Sequence, residues 1–274
     1  MQVSSALREA ASRLAAAGVA SPRVDAERLL AFVVGVPRSR LLLLDSVSPA
    51  DVARFAALVD RRAAREPLQH ITGTAPFLDL TLAVGPGVFI PRPETEVLAQ
   101  WGLDSLAPVK EPTVVDLCSG SGALALAIAS ARPDAAVYAV EVSSDALEWL
   151  RLNASSFSNV EVVDGDVRSV DLSEVLGRAD LVVANPPYVP TSVDVPEEVR
   201  ADPALAVFAG PDGLDLIPAV ASLAASLLRD GGRFGVEHDE SHAPAVAEIV
   251  RRYLRDVRGL ADLAGRPRFT IARR

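Results

Sequence analysis

The chain has 274 residues, half of them hydrophobic and 23% charged, a composition that is typical of globular proteins and excludes a disordered chain. Its 27 basic and 36 acidic residues give a net charge of −9, so we expect no broad surface for nucleic acid. A single cysteine excludes a disulfide framework, and the three histidines lack the spacing of a metal site. Without a signal-peptide pattern or an apolar run of roughly 20 residues, we expect a soluble, cytoplasmic protein that binds no membrane.

Residues 1–66 carry only helical patterns, with apolar residues at steps of three and four. Pro22 and Pro49 each follow a serine, which is typical of the first turn of a helix. Basic residues crowd the end of the last helix: Arg61, Arg62 and Arg65. We expect a solvated helix end there, with contact to an acidic partner surface as the alternative. The pattern predicts a small helical bundle that ends at Pro67.

Residues 67–93 change to short strand-like runs and turns. Alternation over 69–73 and 77–84 predicts strands, and a Gly-Pro-Gly cluster at 85–87 predicts a turn. We interpret this region as a β-hairpin linker between two domains.

Strands and helices alternate from residue 94 to residue 274. The predicted strands cover residues 114–117, 136–140, 160–163, 181–184, 233–237 and 269–272, and the predicted helices cover 123–131, 145–153, 214–228 and 243–253. This alternation predicts an α/β domain with a mostly parallel sheet and helices on both faces. In such sheets a ligand lies beyond the carboxyl ends of the strands.

A glycine-rich loop follows the first strand of this domain. Gly120 and Gly122 allow a sharp turn close to a ligand, and Asp116 at the strand end can accept hydrogen bonds from it. The predicted cofactor-binding residues here are Asp116, Cys118, Ser119, Gly120, Ser121 and Gly122. Because the G-x-G-x-x-A pattern also fits dinucleotide sites, the loop alone leaves S-adenosylmethionine and a nicotinamide or flavin cofactor open.

Two further acidic residues follow neighbouring strands. Glu141 ends the second strand, where a carboxylate can grip the hydroxyls of a ribose. Asp166 follows the third strand and is either an acceptor for an adenine amino group or a turn residue.

The most specific feature is Asn185-Pro186-Pro187-Tyr188, directly after a buried strand. The two prolines remove backbone donors, so the loop offers carbonyl acceptors, and Asn185 adds a side-chain acceptor. Tyr188 supplies an aromatic face for a flat group. The arrangement predicts a clamp for a planar –NH₂ group, with Asn185, Pro186 and Tyr188 as the catalytic residues.

Several segments together resemble the peptide chain release factor glutamine methyltransferases of the HemK/PrmC type. The tetrapeptide is the catalytic motif of that family, and the segments at 67–73, 89–96, 210–215 and 265–268 are similar to other family features. The resemblance implies a seven-stranded, Rossmann-like class I methyltransferase domain at 94–274, whose last strand is antiparallel. It implies a helical domain at 1–66 that docks the release factor, and a linker at 67–93.

The resemblance also implies the chemistry. S-adenosylmethionine would methylate the side-chain amide nitrogen of the glutamine in the Gly-Gly-Gln motif of class I release factors, with no direct nucleic-acid partner and a monomeric enzyme. The residues that would bind substrate are Asn185, Pro186, Pro187, Tyr188, Arg92 and Glu94, and Asn185 would also meet the cofactor. Arg92 and Glu94 could instead form a structural pair. The family usually has glycine where Cys118 stands.

Three other functions stay open from the residues. The tetrapeptide also occurs in DNA adenine amino-methyltransferases, although a net charge of −9 argues against DNA. The glycine pattern fits a nicotinamide-dependent oxidoreductase. A non-catalytic partner-binding module is the third alternative.

Overall fold

A computed structural model describes residues 1–274, the side chain of Leu42 excepted. The chain divides into two compact units. The first unit consists of Met1–Thr74 together with Pro196–Ala201, and the second of Ala75–Val195 together with Asp202–Arg274.

The helices, in chain order, are α1 (Val3–Ala16), α2 (Pro22–Val34), α3 (Pro49–Ala63), α4 (Leu68–Thr72), α5 (Glu96–Leu106), α6 (Ala123–Ala131), α7 (Ser144–Ala154), α8 (Glu197–Arg200), α9 (Ala204–Val207), α10 (Ile217–Leu227) and α11 (Ala243–Arg251). The strands are β1 (Thr74–Phe77), β2 (Leu80–Ala83), β3 (Thr113–Leu117), β4 (Ala136–Glu141), β5 (Val160–Asp164), β6 (Ala179–Ala184), β7 (Leu228–Glu237), β8 (Arg255–Ala261) and β9 (Pro267–Arg273). In the part of the chain that the structure describes, no helix has both the length and the apolar character to cross a membrane.

The first unit is helical, as the sequence predicts, and packs α1, α2 and α3 around one apolar core. Pro22 and Pro49 occupy the first turns of α2 and α3, and the hydroxyl of Ser48 accepts a hydrogen bond from the Asp51 N–H. Helix α4 replaces the strand predicted at 69–73, because Pro67 and Gly73 delimit a single helical turn whose apolar residues face this core.

The expectation that the arginines of α3 form a solvated helix end is wrong for Arg62, which is buried. Its Nε lies 2.8 Å from Asp25 Oδ2, and its Nη2 lies 3.1 Å from Glu198 Oε1. Arg65 donates to both oxygens of Glu198, at 2.9 and 2.6 Å. Hydrogen bonding to Arg65 is the main reason that the pKa of Glu198 falls to about 2. Arg61 pairs instead with Glu66 at the surface.

The second unit is built on a seven-stranded sheet in the order β5-β4-β3-β6-β7-β9-β8. The pairs from β5 to β7 are parallel, and β9 runs antiparallel to both of its neighbours. The expected α/β class, with an antiparallel last strand, is therefore confirmed. A separate two-stranded sheet joins β1 and β2.

Two apolar cores cover the two faces of the large sheet. Successive residues of a strand point to opposite faces, so Val114 packs in one core and Val115 in the other. On β6, Leu181 and Val182 divide in the same way. Both faces are therefore buried, and polar groups of these central strands concentrate at the strand ends.

Helix α10 and strand β8 also differ from the sequence prediction. Helix α10 begins at Ile217 rather than at residue 214, because Pro218 fits only the first turn of a helix. Strand β8 was not predicted, since its residues are mostly exposed and polar and show no strand-like alternation.

Candidate active site

The carboxyl ends of β3, β4 and β6 meet at one edge of the sheet. In the parallel pairing Leu117 lies opposite Val140 on one side and opposite Ala184 on the other. The residues that follow these strands are therefore neighbours. This register brings together the glycine-rich loop, Glu141 and Asn185, as the sequence predicts for a ligand site in such a sheet.

The glycine-rich loop has backbone angles that favour glycine. Gly120 and Gly122 have φ of +56° and +89°. A Cβ on Gly120 would meet no atom within 4 Å, so the loop faces open space there. A Cβ on Gly122 would lie 2.7 Å from Leu150 Cδ1, so this glycine is needed for packing.

Cys118 stands in the same loop with φ of +63°, in the left-handed region where a Cβ is strained. A glycine at this position would carry no such strain. Burial is the main cause that raises the pKa of the Cys118 thiol, and the charges of Glu141 and Asp116 add to it. The thiol stays protonated and is a poor nucleophile.

Asp116 is almost fully buried at the end of β3. Its Oδ2 accepts a hydrogen bond from the Ala125 N–H at 3.1 Å, whereas Oδ1 is buried with no hydrogen-bond partner among the described residues. Burial raises the pKa of this carboxyl to about 7. An unpaired buried carboxyl oxygen is costly, and a cationic or hydroxylated ligand beside it would remove that cost.

Glu141 at the end of β4 holds the loops around it. Its Oε2 accepts from the Gly120 N–H at 2.8 Å, and its Oε1 accepts from the N–H groups of Val142 and Ser143 at 2.9 and 2.8 Å. Because three backbone N–H groups already donate to this carboxylate, it has little acceptor capacity left. A ribose hydroxyl would have to donate to an oxygen that already accepts a backbone hydrogen bond. Ser119 and Ser121 are both buried in the same loop.

Asp166 makes the hydrogen bonds of a turn residue. Its Oδ1 accepts from the Arg168 N–H at 2.8 Å, and its Oδ2 lies 3.3 Å from Arg168 Nη1. It stands two residues beyond β5, the strand next to β4 at the edge of the sheet.

The tetrapeptide follows β6 directly. Pro186 and Pro187 are buried, while Asn185 and Tyr188 are partly exposed. The Asn185 Nδ2 donates to Thr95 Oγ1 at 3.3 Å, and the Tyr188 hydroxyl donates to Glu237 Oε1 at 3.1 Å.

Glu237, Thr95 and Arg268 support this loop. Thr95 and Arg268 lie in the family-like segments 89–96 and 265–268, but the sequence predicts no role at the site for any of the three residues. Thr95 Oγ1 donates to Glu237 Oε2 at 2.7 Å, and both residues are buried. The Arg268 guanidinium lies 5.7 Å from the centre of the Tyr188 ring. Glu237 is the last residue of β7, just as Asp116 and Glu141 lie at the ends of β3 and β4. Because ligands bind beyond the carboxyl ends of such strands, this position could have identified Glu237 from the sequence.

Burial raises the pKa of Glu237, whereas the hydrogen bond from Thr95 and the charge of Arg268 oppose that rise. Burial likewise raises the pKa of the Tyr188 hydroxyl, and the nearby charge of Glu237 adds to this. The tyrosine is therefore a neutral hydrogen-bond donor rather than a base.

Arg92 and Glu94 do not pair with each other. Arg92 forms an ion pair with the buried Asp202 and lies over the Phe89 ring, 4.9 Å from its centre. Glu94 lies 3.4 Å from Arg266 Nη2. The structural pair considered from the sequence is thus replaced by two separate pairs, both within the second unit.

Comparisons with known proteins identify the family of this chain. The PrmC N-terminal domain family matches residues 5–73, and the methyltransferase small domain family matches residues 80–200. The chain is 50% identical to the release factor glutamine methyltransferase of Mycolicibacterium smegmatis, over 98% of this chain and 96% of the relative. It is 48% identical to the enzyme of the same description from Streptomyces coelicolor, over 97% and 96% of the two chains.

Among solved structures, the 16S rRNA methyltransferase RsmC of T. thermophilus, in complex with AdoMet and guanosine, has a TM-score of 0.53. It is 22% identical and covers 73% of this chain and 49% of its own, which is a likeness of fold. The similarity to the release factor glutamine methyltransferases extends over nearly the whole chain and is more specific than this likeness of fold. The chain belongs to the family of release factor glutamine methyltransferases.

Proposed function

We propose that this protein transfers a methyl group from S-adenosylmethionine to the side-chain amide nitrogen of the glutamine in the Gly-Gly-Gln motif of class I release factors. The observation that carries the proposal is the position of Asn185. It follows β6 directly, beside the strand whose end bears the glycine-rich loop and the unpaired carboxyl of Asp116. The names of the relatives favour a release factor over DNA as the methyl acceptor.

The cofactor residues fit a ligand that carries positive charge. Asp116 offers a buried, unpaired oxygen, and Gly120 leaves open space beside it. We assign cofactor binding to Asp116, the loop Cys118 to Gly122, Glu141, Asp166 and Asn185. When bound, S-adenosylmethionine supplies a methyl group already activated by its sulfonium, so the protein need not create a leaving group.

The protein must instead position a weak nucleophile. The lone pair of an amide nitrogen is delocalised into the carbonyl, and a rotation barrier of roughly 18–20 kcal/mol measures that conjugation. Asn185 Oδ1 and the backbone carbonyl of Pro186 accept hydrogen bonds from the two hydrogens of the glutamine –NH₂ and hold the nitrogen in place. One of these two protons is released to solvent when the nitrogen takes the methyl group. The Tyr188 ring packs against the flat carboxamide. Positioning of this kind can supply about 7–11 kcal/mol.

The remaining residues have supporting roles in this proposal. Pro187 removes a competing donor next to the clamp. Arg92 and Glu94 contribute to substrate binding in this proposal. Their ion pairs with Asp202 and Arg266 fix the segment that contains them, close in sequence to Thr95 of the site. Residues 1–66 dock the release factor, residues 67–93 link this domain to the rest, and residues 94–274 carry the reaction, in the cytoplasm.

The test is methylation of a purified release factor with a methyl-labelled donor, followed by mass spectrometry of the Gly-Gly-Gln peptide. We expect the label on the glutamine side chain, and we expect Asn185→Ala to lower kcat/KM about 100-fold or more, as does the loss of one oriented group at a reacting atom. Asn159→Ala is the matched control, because the Asn159 side chain donates to the backbone carbonyls of Ala129 and Arg132 and, among the described residues, to no group of the candidate site.

Two results would contradict the proposal. One is a folded Asn185→Ala variant that methylates at the rate of the wild type. The other is label on adenine in a parallel reaction with DNA and none on the release factor, which would favour the DNA alternative.

A further inference from the structure

A buried chain of hydrogen bonds lies behind the tetrapeptide and ends on Asn185. Asn185 Nδ2 is 3.3 Å from Thr95 Oγ1, and Thr95 Oγ1 is 2.7 Å from Glu237 Oε2. The other carboxyl oxygen of Glu237 receives the Tyr188 hydroxyl at 3.1 Å. Thr95 is 3% exposed and Glu237 is 1% exposed, so water does not replace these contacts.

The direction of this chain follows from the number of hydrogens that each group carries. In its ionised form, which the hydrogen bonds from Thr95 and Tyr188 and the charge of Arg268 favour against burial, the Glu237 carboxylate only accepts hydrogen bonds. A threonine hydroxyl has a single hydrogen. Because both oxygens of Glu237 receive a hydroxyl donor, Thr95 gives its only hydrogen to Glu237. The Thr95 oxygen can then only accept, so the –NH₂ end of Asn185 must face it.

The opposite end of Asn185 is thereby fixed as well. An asparagine amide presents an oxygen on one side and an –NH₂ group on the other, and the two ends are nearly equal in size. With the –NH₂ end bound to Thr95, the oxygen is the end left for a ligand. A glutamine –NH₂ carries two donors, so a reversed Asn185 would place donor against donor.

We propose that Thr95 and Glu237 are positioning residues that set the amide orientation of Asn185, and so make the site select a carboxamide over a carboxylate. This inference rests on the proposed function, because it takes glutamine as the group that meets Asn185. A glutamate side chain carries only hydrogen-bond acceptors, so it cannot form a hydrogen bond with the Asn185 oxygen. When the hydrogen bonds from Asn185 through Thr95 to Glu237 are lost, the Asn185 amide can rotate by half a turn. Its –NH₂ group then faces the ligand and can donate a hydrogen bond to a carboxylate.

The experiment compares three substitutions of Thr95. Thr95→Val keeps the shape of the side chain and removes the hydroxyl, whereas Thr95→Ser and Thr95→Ala differ from each other by one oxygen. We expect Thr95→Val and Thr95→Ala to lower kcat/KM for the release factor by about tenfold, the factor expected from one lost hydrogen bond. Thr95→Ser should recover most of that loss.

The second measurement separates orientation from simple structural damage. A release factor with Gly-Gly-Glu in place of Gly-Gly-Gln is added as a competitive inhibitor, and its inhibition constant is compared with KM for the Gly-Gly-Gln protein. We expect the preference for glutamine to fall about tenfold in Thr95→Val and Thr95→Ala and to return in Thr95→Ser. The affinity for S-adenosylmethionine, measured by calorimetry, should not follow this pattern.

Thr270→Val is the matched control. Thr270 is as buried as Thr95, but its hydroxyl contacts His238 Nε2 at 2.9 Å rather than Asn185 or Glu237. It should lose stability like Thr95→Val but keep the preference for glutamine. If Thr95→Val does not fold, the pair Thr95→Ser and Thr95→Ala carries the comparison.

The inference is overturned if the alanine and serine variants have equal kcat/KM, or if the preference for glutamine is unchanged in both. A wild-type protein that leaves the release factor unmethylated would instead contradict the proposed function, so the two failures are distinguishable.

Discussion

The buried carboxyl of Asp116 should make the stability of this protein depend on pH in a way that one substitution abolishes. Its pKa rises from 3.8 to about 7, mainly through burial. Between these two values the folded protein holds a proton that the unfolded chain has lost, so the free energy of unfolding falls as pH rises. Each pKa unit corresponds to about 1.36 kcal/mol, so the ionised carboxylate costs the folded state about 4 kcal/mol above pH 7.

Asp116→Asn removes the ionisable group and keeps an acceptor for the Ala125 N–H. The asparagine leaves a buried –NH₂ group in place of Oδ1, which costs about 1–3 kcal/mol at every pH. We therefore expect the difference in unfolding free energy between variant and wild type to be constant below about pH 4. It should then shift in favour of the variant by about 4 kcal/mol up to about pH 7, and stay level above it.

The assay is urea unfolding of both proteins at a series of pH values from about 4 to 8. Taking the difference between the two proteins cancels the other titrating groups. Parallel curves over the whole range would refute the reasoning, because they would mean that Asp116 titrates alike in the folded and unfolded chains. Because Asp116 ionises as pH rises toward about 7 and the sulfonium of S-adenosylmethionine is positively charged, we expect this cofactor to bind more tightly over that range. Asp116→Asn should lose this dependence on pH.

Two further predictions concern stability. Cys118→Gly should raise the free energy of unfolding by about 1 kcal/mol, because it relieves the strain at φ of +63°; a lower melting temperature for this variant would contradict that account. Arg62→Ala should destabilise the protein by about 3–5 kcal/mol, since it leaves Asp25 buried without its 2.8 Å partner. Arg61→Ala is the matched control and should cost less than about 1 kcal/mol, because its pair with Glu66 is exposed. Equal losses for the two arginines in chemical denaturation would show that burial does not decide the effect.

The large sheet could be predicted because its central strands are continuous apolar runs with polar residues directly after them. Val114 and Val115 face opposite cores, so both must be apolar, and the chain shows this as a short unbroken run. Asp116, Glu141 and Asn185 were found by the same signal, because each lies where such a run ends. The edge strand β8 lacks this signal, since it is buried on neither face.

Contacts between distant parts of the chain could not be predicted. Thr95 and Glu237 are 142 positions apart, and nothing in either segment indicates that their side chains meet. Arg62 looked like one of several exposed arginines until the fold placed Asp25 beside it. Local pattern identifies which residues are apolar or at a strand end, whereas the pairing of buried polar groups depends on the assembled fold.

The helical unit includes Pro196–Ala201, a segment that the ribosome synthesises well after the rest of the unit. Its helices up to Thr74 leave the ribosome long before Pro196–Ala201, which carries Glu198. At about 5–20 residues per second, the wait from residue 74 to residue 201 lasts about 6 to 25 s. During that interval Arg62 and Arg65 have no Glu198 to bind, so a gene fragment that stops at residue 74 encodes a unit that lacks the carboxylate shared by these two arginines.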